Sequence, residues 1–246
     1  MKYDSFVFIG HGTSEKTGKY DPGAVSGNFV EYKIAEKIVQ AAKGYLDKIS
    51  DLKIHYDENN YIDNDLQGNT YTKKFGIVVH LNAGGGTGVE IIVPCKEDYL
   101  VADVNITKNI SNLLGIRNRG VKSRIYDTEK FIYREHGKAT SDTDYYGEIR
   151  QAWKQGISLA ILEVGFIDTD DIYKITGNIE RLGYEVANYI AFNCGKEIKE
   201  ERIYTVNKGD TLYSISRKLG VSLETLIYKN NISNPNKIRE GANLKY

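Results

Sequence analysis

The chain has 246 residues, and its 33 basic side chains balance its 33 acidic ones, so the formal net charge at pH 7 is zero. This balance gives no electrostatic support for a nucleic-acid partner, and two cysteines in a chain of this length do not form a disulfide framework. A hydrophobic content of 41% is enough for a real core, and the length fits one large domain with a short appendage.

The N-terminal segment contains one short apolar run, Ser5–Ile9, which ends at a glycine. It is shorter than the roughly 7–15 apolar residues of a signal-peptide core and the roughly 20 of a membrane span. We therefore expect a chain that is made in the cytoplasm without an export signal and that does not insert into a membrane. The run itself predicts a buried β-strand.

Predicted strands and helices alternate along the first 194 residues. Short apolar runs predict buried strands at 5–9, 75–79, 89–93 and 159–162. Apolar residues at helical spacing predict helices at 31–46, 102–113, 145–155 and, capped by Asn178, 179–192. This alternation predicts an α/β domain with a mostly parallel twisted sheet and helices on both faces. The glycine run at 84–88 predicts a tight hairpin between two strands.

The pattern changes after residue 194. Residues 195–202 are polar and highly charged and are interpreted as a linker, so that the predicted domains span 1–194 and 203–246. The second segment predicts a small βααβ module with Asp210 as a helix cap. It has five Lys and two Arg against one Asp and two Glu, a net charge of +4. This suggests that the module meets an anionic partner surface, and the alternative is that the charge arises by chance.

Four side chains are candidates for chemistry. His11 and His80 follow apolar strands, and side chains just past the carboxyl ends of parallel strands point into one crevice. Glu163 ends a third strand, where an unpaired carboxylate is costly to bury, and Glu31 opens a helix. Two histidines with one carboxylate form the ligand set of a hydrolytic zinc site, and a second carboxylate serves as general base. The alternatives are structural histidines and simple stabilisation of a helix N-terminus by Glu31.

Five segments, taken together and in order, resemble the zinc amidase family often called amidase-3, the catalytic domain of bacterial autolysins and phage lysins. The resemblance covers about residues 5–193. The segments are IGHG at 9–12, DPGAVSGNFVEYKIA at 21–35, VVHLNAGGGTGVEI at 78–91, RGVK at 119–122 and AILEVGFIDTDD at 160–171.

The resemblance implies that His11, Glu31 and His80 bind zinc and that Glu163 is the catalytic carboxylate. It implies hydrolysis of the amide bond between N-acetylmuramic acid and L-alanine in peptidoglycan. The loop from His11 to the following aspartate is longer than the compact His-Gly-Gly-x-Asp pattern usual in the family.

A second departure is the insertion-like segment 126–150, which resembles some lysin members. Tyr145, Tyr146 and Arg150 of this segment are candidates to line a substrate groove, and the alternative is that they pack against the following helix. The two remaining histidines, His55 and His136, lie in polar or charged stretches and are interpreted as surface residues, with contact to substrate as the alternative for His136.

The C-terminal segment resembles a LysM module over nearly its whole length, in YTVNKGDTLYSISRKLGVS at 204–222 and NNISNPNKIREGANLKY at 230–246. The resemblance implies binding to glycans that contain N-acetylglucosamine. Asp210 and Thr211 have an equally good structural role as helix caps. The implied groove residues are Gly209, Asp210, Thr211 and Leu212 on one side and Asn234, Pro235, Asn236 and Ile238 on the other.

Together these patterns predict a wall-bound zinc amidase, a phage or prophage endolysin that acts on peptidoglycan after release from the cell. A bacterial autolysin exported by an unusual route is the alternative origin. Two other functions stay open: a zinc peptidase that cuts within the stem peptide, and a non-catalytic wall-binding protein.

Overall fold

A computed structural model describes residues 1–13, 17–57, 66, 68–134, 139–198, 203–230, 232 and 234–246. The chain divides into two compact units, Met1–Ile198 and Lys199–Tyr246. His136 and the last four residues of the predicted linker, 199–202, lie outside the described residues. In the part of the chain that is described, no helix combines the length and the apolar character that crossing a bilayer requires.

The larger unit alternates strands and helices as expected. Its described helices are α1 (Glu31–Leu46), α2 (Val101–Leu114), α3 (Gly147–Lys154), α4 (Asp171–Thr176) and α5 (Ile179–Asn193). Its described strands are β1 (Lys2–Tyr3), β2 (Ser5–Ile9), β3 (Gly12–Thr13), β4 (Tyr20–Asp21), β5 (Val25–Ser26), β6 (Phe29–Val30), β7 (Ile54–Asp57), β8 (Thr70–Tyr71), β9 (Phe75–Asn82), β10 (Val89–Ile92), β11 (Asn118–Arg124), β12 (Phe131–Tyr133) and β13 (Ser158–Phe166).

Seven strands form the central sheet, in the order β12-β11-β10-β13-β9-β2-β7. The pairings β11–β12 and β10–β13 are antiparallel, and the other neighbours run parallel. The predicted fold class, a mostly parallel α/β sheet flanked by helices, is confirmed. The N-terminal apolar run is β2, whose five residues are all buried in this sheet.

The hairpin predicted from the glycine run is wrong. Strand β13 lies between β9 and β10, so the loop at 84–88 has to cross the end of β13 instead of turning back on a neighbouring strand. Carboxylates hold the loop in this path. Asp168 Oδ2 accepts hydrogen bonds from the backbone N–H groups of Gly84 (2.8 Å) and Gly85 (2.9 Å), and Asp171 Oδ2 accepts one from Gly88 (2.8 Å).

The two faces of the sheet carry separate hydrophobic cores, because successive side chains of a strand point to opposite faces. The larger core lies against α1, α2, α4 and α5. The smaller core packs Ile149 and Ala152 of α3 on sheet residues that include Val78 of β9 and Ile161 of β13. Two residues further along each strand, His80 and Glu163 point to this same face, beside α3.

Local details explain two further differences from expectation. Asn178 precedes α5 but its side chain does not cap it, because the Asn178 amide donates to the carbonyl of Lys174 (2.9 Å). His55 is half-buried, not a surface residue. Its ring stacks on Tyr3 with centroids 4.6 Å apart, and its Nδ1 lies 2.6 Å from the Tyr71 hydroxyl.

The smaller unit contains the antiparallel pair β14 (Ile203–Thr205) and β15 (Asn243–Lys245) with helices α6 (Leu212–Leu219) and α7 (Leu223–Lys229). Thr211, not Asp210, caps α6: its hydroxyl accepts from the N–H of Ser214, whose own hydroxyl accepts from the N–H of Thr211. Asp210 instead accepts hydrogen bonds from the N–H of Asn207 and the hydroxyl of Tyr204. The buried core is Val206, Leu212, Ile215, Leu226 and Leu244.

Candidate metal centre and catalytic site

The ends of β2 and β9 bring the predicted ligands together with the start of α1. His11 follows β2, His80 is the sixth residue of β9, and Glu31 is the first residue of α1. One potential ligand atom from each of the three lies within 4.8 Å of the others. Residues that are distant in sequence thus meet in one crevice at the carboxyl edge of parallel strands.

One carboxylate oxygen stands at the centre of this cluster. Glu31 Oε1 lies 3.3 Å from His11 Nε2 and 3.1 Å from His80 Nδ1. Two ligand atoms bound to a tetrahedral zinc ion at about 2.0–2.1 Å are about 3.3–3.4 Å apart. Both the donor types and their separations therefore fit zinc, and imidazole nitrogens also suit related transition metals.

The Glu31 carboxylate is buried and held on both oxygens. Oε1 accepts the N–H of Leu81 at 3.0 Å, and Oε2 accepts the N–H of Ala24 at 2.8 Å. Burial would favour the neutral acid, but the hydrogen bonds and charges of the two imidazoles outweigh it and hold the pKa of Glu31 well below its usual range. The side chain is therefore an anion aimed at both histidines.

Close backbone approach makes this cluster possible. A Cβ at Gly10 would lie 2.3–2.5 Å from the His80 ring, and one at Gly23 would lie 2.5 Å from His11 Cδ2. Gly23 also has a φ of +69°. His11 itself has a φ of 66°, a sparsely populated conformation for a residue with a side chain. Strain of this kind concentrates at functional sites, where surrounding contacts enforce it.

Both imidazoles are more basic than a free histidine. Burial opposes protonation of His11, but the hydrogen bond and charge of Glu31, and then Asp21, outweigh it and raise its pKa. His11 Nδ1 lies 2.9 Å from Asp21 Oδ2. Burial likewise opposes protonation of His80, and the carboxylates of Glu148 and Glu31 raise its pKa. The site thus attracts positive charge.

Glu163 lies directly beside His80, because the two are paired in the register of β13 and β9. Its Oε2 is buried without a hydrogen-bond partner among the described residues. Burial raises the pKa of Glu163 to about 7, with the nearby His80 opposing this increase. A carboxyl group with this proton affinity can take and return a proton near neutral pH.

A third acid follows in the same row across the sheet. Glu90 of β10 is the register partner of Glu163 and is buried. Arg119 Nε lies 2.6 Å from Glu90 Oε2, the Lys122 ammonium also contacts this oxygen, and Asn82 donates to Oε1 at 2.9 Å. Glu90 is thus fully paired, which suits a structural anion beneath the site, whereas Glu163 keeps an oxygen without a partner among the described residues.

The three candidate groove residues have different surroundings. The Arg124 guanidinium lies 3.7 Å from the Tyr145 ring centroid and 5.9 Å from that of Tyr146. Burial raises the pKa of Tyr146, and the charge of Glu163 adds to this effect, so Tyr146 borders the site. Arg150 instead binds the carbonyls of Asp144 (2.7 Å) and Tyr145 within its own segment. Arg150 therefore holds the segment's shape, and Tyr146, which packs against the smaller core, is the one of the three that lies near Glu163.

Three site residues were not predicted from the sequence. Asp21 lies in one of the family-like segments but was given no role, although an acid next to Pro22 and Gly23 was a visible signal. Glu90 is a polar residue inside an apolar strand, which was also visible. Glu148, 3.9 Å from His80 through Oε2 and Nε2, carries no local signal, because only the packing of α3 brings it there.

The predicted glycan-binding residues of the smaller unit lie in two segments. Gly209 and Thr211 are exposed, Asp210 is half-buried, and Leu212 is buried in the unit's core, so its side chain packs inward. Asn234, Pro235 and Asn236 form an exposed turn, closed by a 3.0 Å hydrogen bond from the Lys237 N–H to the Asn234 carbonyl. Ile238 packs against the core that contains Leu212. Both segments thus border one core.

Comparisons with known proteins match the smaller and the larger unit to different families of structures. Residues 204–245 match the family model of the LysM domain. The smaller unit is a LysM domain.

Solved structures resemble the larger unit. The CwlD amidase from Clostridioides difficile, solved with the GerS lipoprotein, has a TM-score of 0.55 at 16% identity over 78% of this chain and 98% of CwlD. Cwp6 from Clostridium difficile has a TM-score of 0.53 at 21% identity over 80% of this chain, but only 30% of Cwp6 is covered. A putative N-acetylmuramoyl-L-alanine amidase from Neisseria meningitidis has a TM-score of 0.51 at 20% identity, over 77% of this chain and 96% of its own. The larger unit has the N-acetylmuramoyl-L-alanine amidase fold.

Proposed function

We propose that this chain is a zinc-dependent peptidoglycan amidase that cleaves the bond between N-acetylmuramic acid and L-alanine. The observation that carries this proposal is the convergence of His11, Glu31 and His80 on one point, with Glu163 beside them, in a unit with the amidase fold. The LysM domain supports a polymeric wall glycan as the binding target.

His11, Glu31 and His80 would hold the ion. When bound, zinc lowers the pKa of a coordinated water and polarises the carbonyl to be attacked. Glu163 would accept the proton of the attacking water and deliver it to the leaving amine of L-alanine. Its buried Oε2, which has no hydrogen-bond partner among the described residues, and its pKa of about 7 support both halves of this transfer.

A row of side chains along one sheet face supports binding of an extended substrate. The register pairs His80 with Glu163, Glu163 with Glu90, Lys122 with Tyr133 and Arg124 with Phe131, so these groups share the face beside α3. Phe131 and Tyr133 are exposed, at 41% and 57%. A muramyl peptide lying across this row would present its amide to Glu163, with aromatic and cationic groups along one side.

The LysM domain would bind N-acetylglucosamine-containing glycan through the two segments at 209–212 and 234–238. This second contact with an immobile polymer raises the effective concentration of the catalytic unit at its bonds, without any change in the chemistry.

Mass spectrometry of purified wall digested by the full chain tests the proposal. We expect peptides with a free N-terminal alanine and intact muramic acid, and no such products after a chelator is added. New ends within the stem peptide would replace the amidase by a peptidase. Release of no fragment, together with zinc-independent wall binding, would leave a non-catalytic binding protein.

We also propose that the protein acts on the wall after release from the cell that makes it, as a phage or prophage lysin. The burial of the apolar run Ser5–Ile9 as β2, a strand of the seven-stranded sheet, supports a structural role for that run. Purified chain added to intact bacteria with exposed walls should lyse them. Activity that requires a host export factor would favour an autolysin.

A further inference from the structure

Glu148 faces the metal cluster from outside the ligand set. It is the second residue of α3, and the next residue, Ile149, is fully buried in the smaller core, so the start of the helix is fixed against the sheet. The Glu148 Oε2 atom and the His80 Nε2 atom are both buried, and neither has a hydrogen-bond partner among the described residues. These two atoms lie 3.9 Å apart.

Each is therefore the natural partner of the other. A buried N–H without an acceptor is destabilising, and a carboxylate oxygen is its strongest acceptor. The separation of 3.9 Å is within ion-pair distance and about 1 Å longer than a charge-assisted hydrogen bond. A small rotation of either side chain would bring the two atoms within hydrogen-bond distance.

His11 has the same arrangement, and its hydrogen bond to a carboxylate, that of Asp21, is already formed. His11 directs Nε2 to Glu31 Oε1 and places Nδ1 2.9 Å from Asp21 Oδ2. His80 directs Nδ1 to the same Glu31 oxygen and Nε2 towards Glu148. Each imidazole thus has one nitrogen facing the cluster centre and the other facing a carboxylate.

A neutral imidazole carries a single proton, so an acceptor at one nitrogen leaves the lone pair on the other. Carboxylates in this position fix the tautomer and the ring orientation of metal-bound histidines. We propose that Glu148 is a positioning residue that holds the proton of His80 on Nε2 and directs Nδ1 to the metal, as Asp21 does for His11. This inference rests on the zinc site of the proposed function.

Zinc affinity of the full chain, measured by competition with a chromogenic chelator, tests this role. Glu148→Ala should weaken zinc binding about 10–100-fold, the usual effect of losing such a partner. Glu148→Gln should keep most of the affinity, because its amide oxygen can still accept the Nε2 proton. Asp21→Ala should resemble Glu148→Ala.

The matched control is Glu180→Ala, which removes another acid from the first turn of a helix, α5, at an exposed position. It should bind zinc like the wild type. The unfolding midpoint of the metal-free protein, measured for every variant, separates loss of the hydrogen bond from loss of the fold.

Three results would overturn the inference. Wild-type zinc affinity in Glu148→Ala removes the role, and equal weakening in the alanine and glutamine variants removes the hydrogen bond as its cause. Unchanged zinc affinity with slower turnover of the zinc-saturated alanine variant assigns Glu148 to the substrate. Zinc binding that follows the expected order in a chain that releases no alanine-terminated peptide supports this role while rejecting the amidase activity.

Discussion

Glu31 and Asp103 are both buried acids in the first turn of a long helix, yet their proton affinities move in opposite directions. Glu31 opens α1 at the end of the sheet that carries His80, whereas Asp103 of α2 borders a cavity of about 340 Å³ near the starts of β9 and β13. The pKa of Glu31 lies well below its usual range, and burial raises that of Asp103 to about 6.

The partners of each carboxylate explain the difference. Glu31 faces two imidazoles and two backbone N–H groups. Asp103 accepts one N–H from Leu100 at 2.6 Å and one hydroxyl hydrogen bond from Tyr189 at 2.8 Å, and the charge of Glu97 opposes its ionisation. Burial alone thus does not mark a functional acid. A buried carboxylate with cationic or metal-binding partners is built to stay charged, while Asp103 is built to cap a helix.

Glu31→Gln should produce the largest change, because it removes the charge between the two histidines. We expect no stoichiometric zinc by equilibrium dialysis and wall hydrolysis no faster than that of chelator-treated wild type. Removing one partner of a buried ion pair costs about 3–5 kcal/mol. The free energy of unfolding of the metal-free protein at pH 7, followed by fluorescence of the single tryptophan, Trp153, should fall by a similar amount.

The pH dependence of this loss has a definite sign. Because the folded-state pKa of Glu31 is lowered, its stabilising contribution is fully present above its ordinary pKa of 4.5. It is lost progressively as the pH falls from that value through the lower folded-state pKa. Glu36→Gln, five residues along α1, is the matched control. Wild-type zinc content in Glu31→Gln would show that Glu31 is no ligand.

Glu163→Gln should produce the second largest change, and it tests a carboxyl group that shares the raised pKa of Asp103 but sits beside His80. We expect kcat to fall about 10²–10⁴-fold, the usual contribution of general acid–base catalysis, with zinc content unchanged. Glu163 must be ionised to act as the base. In the wild type, kcat/KM should therefore rise with pH, and this acidic limb of the pH–rate profile should lie at or below pH 7.

That limb should be absent in Glu163→Gln. Glu129→Gln, at an acid whose side chain is 66% exposed, should match the wild type in rate and pH profile. Full activity in the Glu163 variant would assign the proton transfer to another residue.

Asp103→Asn should have a smaller effect, and one that changes with pH in the opposite sense to Glu31. A pKa of about 6 against an ordinary value of 3.8 corresponds to about 3 kcal/mol. The folded wild type holds this proton more tightly than the unfolded chain, so its stability falls as the pH rises from about 4 to about 6. The Asp103→Asn variant lacks this pH-dependent contribution to stability, and it loses about 1 kcal/mol of helix-capping stabilisation at every pH.

Urea unfolding at pH 5 and pH 7.5 checks this sign. The stability difference between wild type and Asp103→Asn should favour the wild type at pH 5 and shrink or reverse at pH 7.5. A difference that grows with pH would mean that Asp103 is stabilised as an anion, like Glu31.

Much of the fold could be predicted from local pattern. The apolar spacing from 31 to 46 gives α1 with the observed bounds, and Ser5–Ile9 is the observed β2, because amphipathic period and short apolar runs are local properties. The order of the strands is not local. The insertion of β13 between β9 and β10 depends on contacts across about 70 residues, so the glycine loop between them was predicted wrongly as a hairpin.

The same distinction between local pattern and long-range packing applies to the candidate site. Positions at strand ends and at a helix start made His11, His80, Glu163 and Glu31 candidates. The resemblance to a known family then assigned their roles, because their long spacing alone is weak evidence. Glu148 could not be found in this way, because its position depends on how α3 packs against the sheet, and no residue type or spacing in the chain marks it.

Tyr189→Phe should give the smallest effect of the series, and it tests whether the Tyr189 hydroxyl limits the proton affinity of Asp103. The phenylalanine fills the same space but removes a 2.8 Å donor to Asp103 Oδ1, which at present lowers the pKa of that acid. We expect a loss of about 1.5 kcal/mol at pH 7.5, where the acceptor is charged, and less at pH 5, where it is neutral. Zinc affinity and wall hydrolysis should match the wild type, because Tyr189 lies at the end of the sheet opposite His80. Equal losses of stability at both pH values would show that the hydroxyl acts through packing and not through the charge of Asp103.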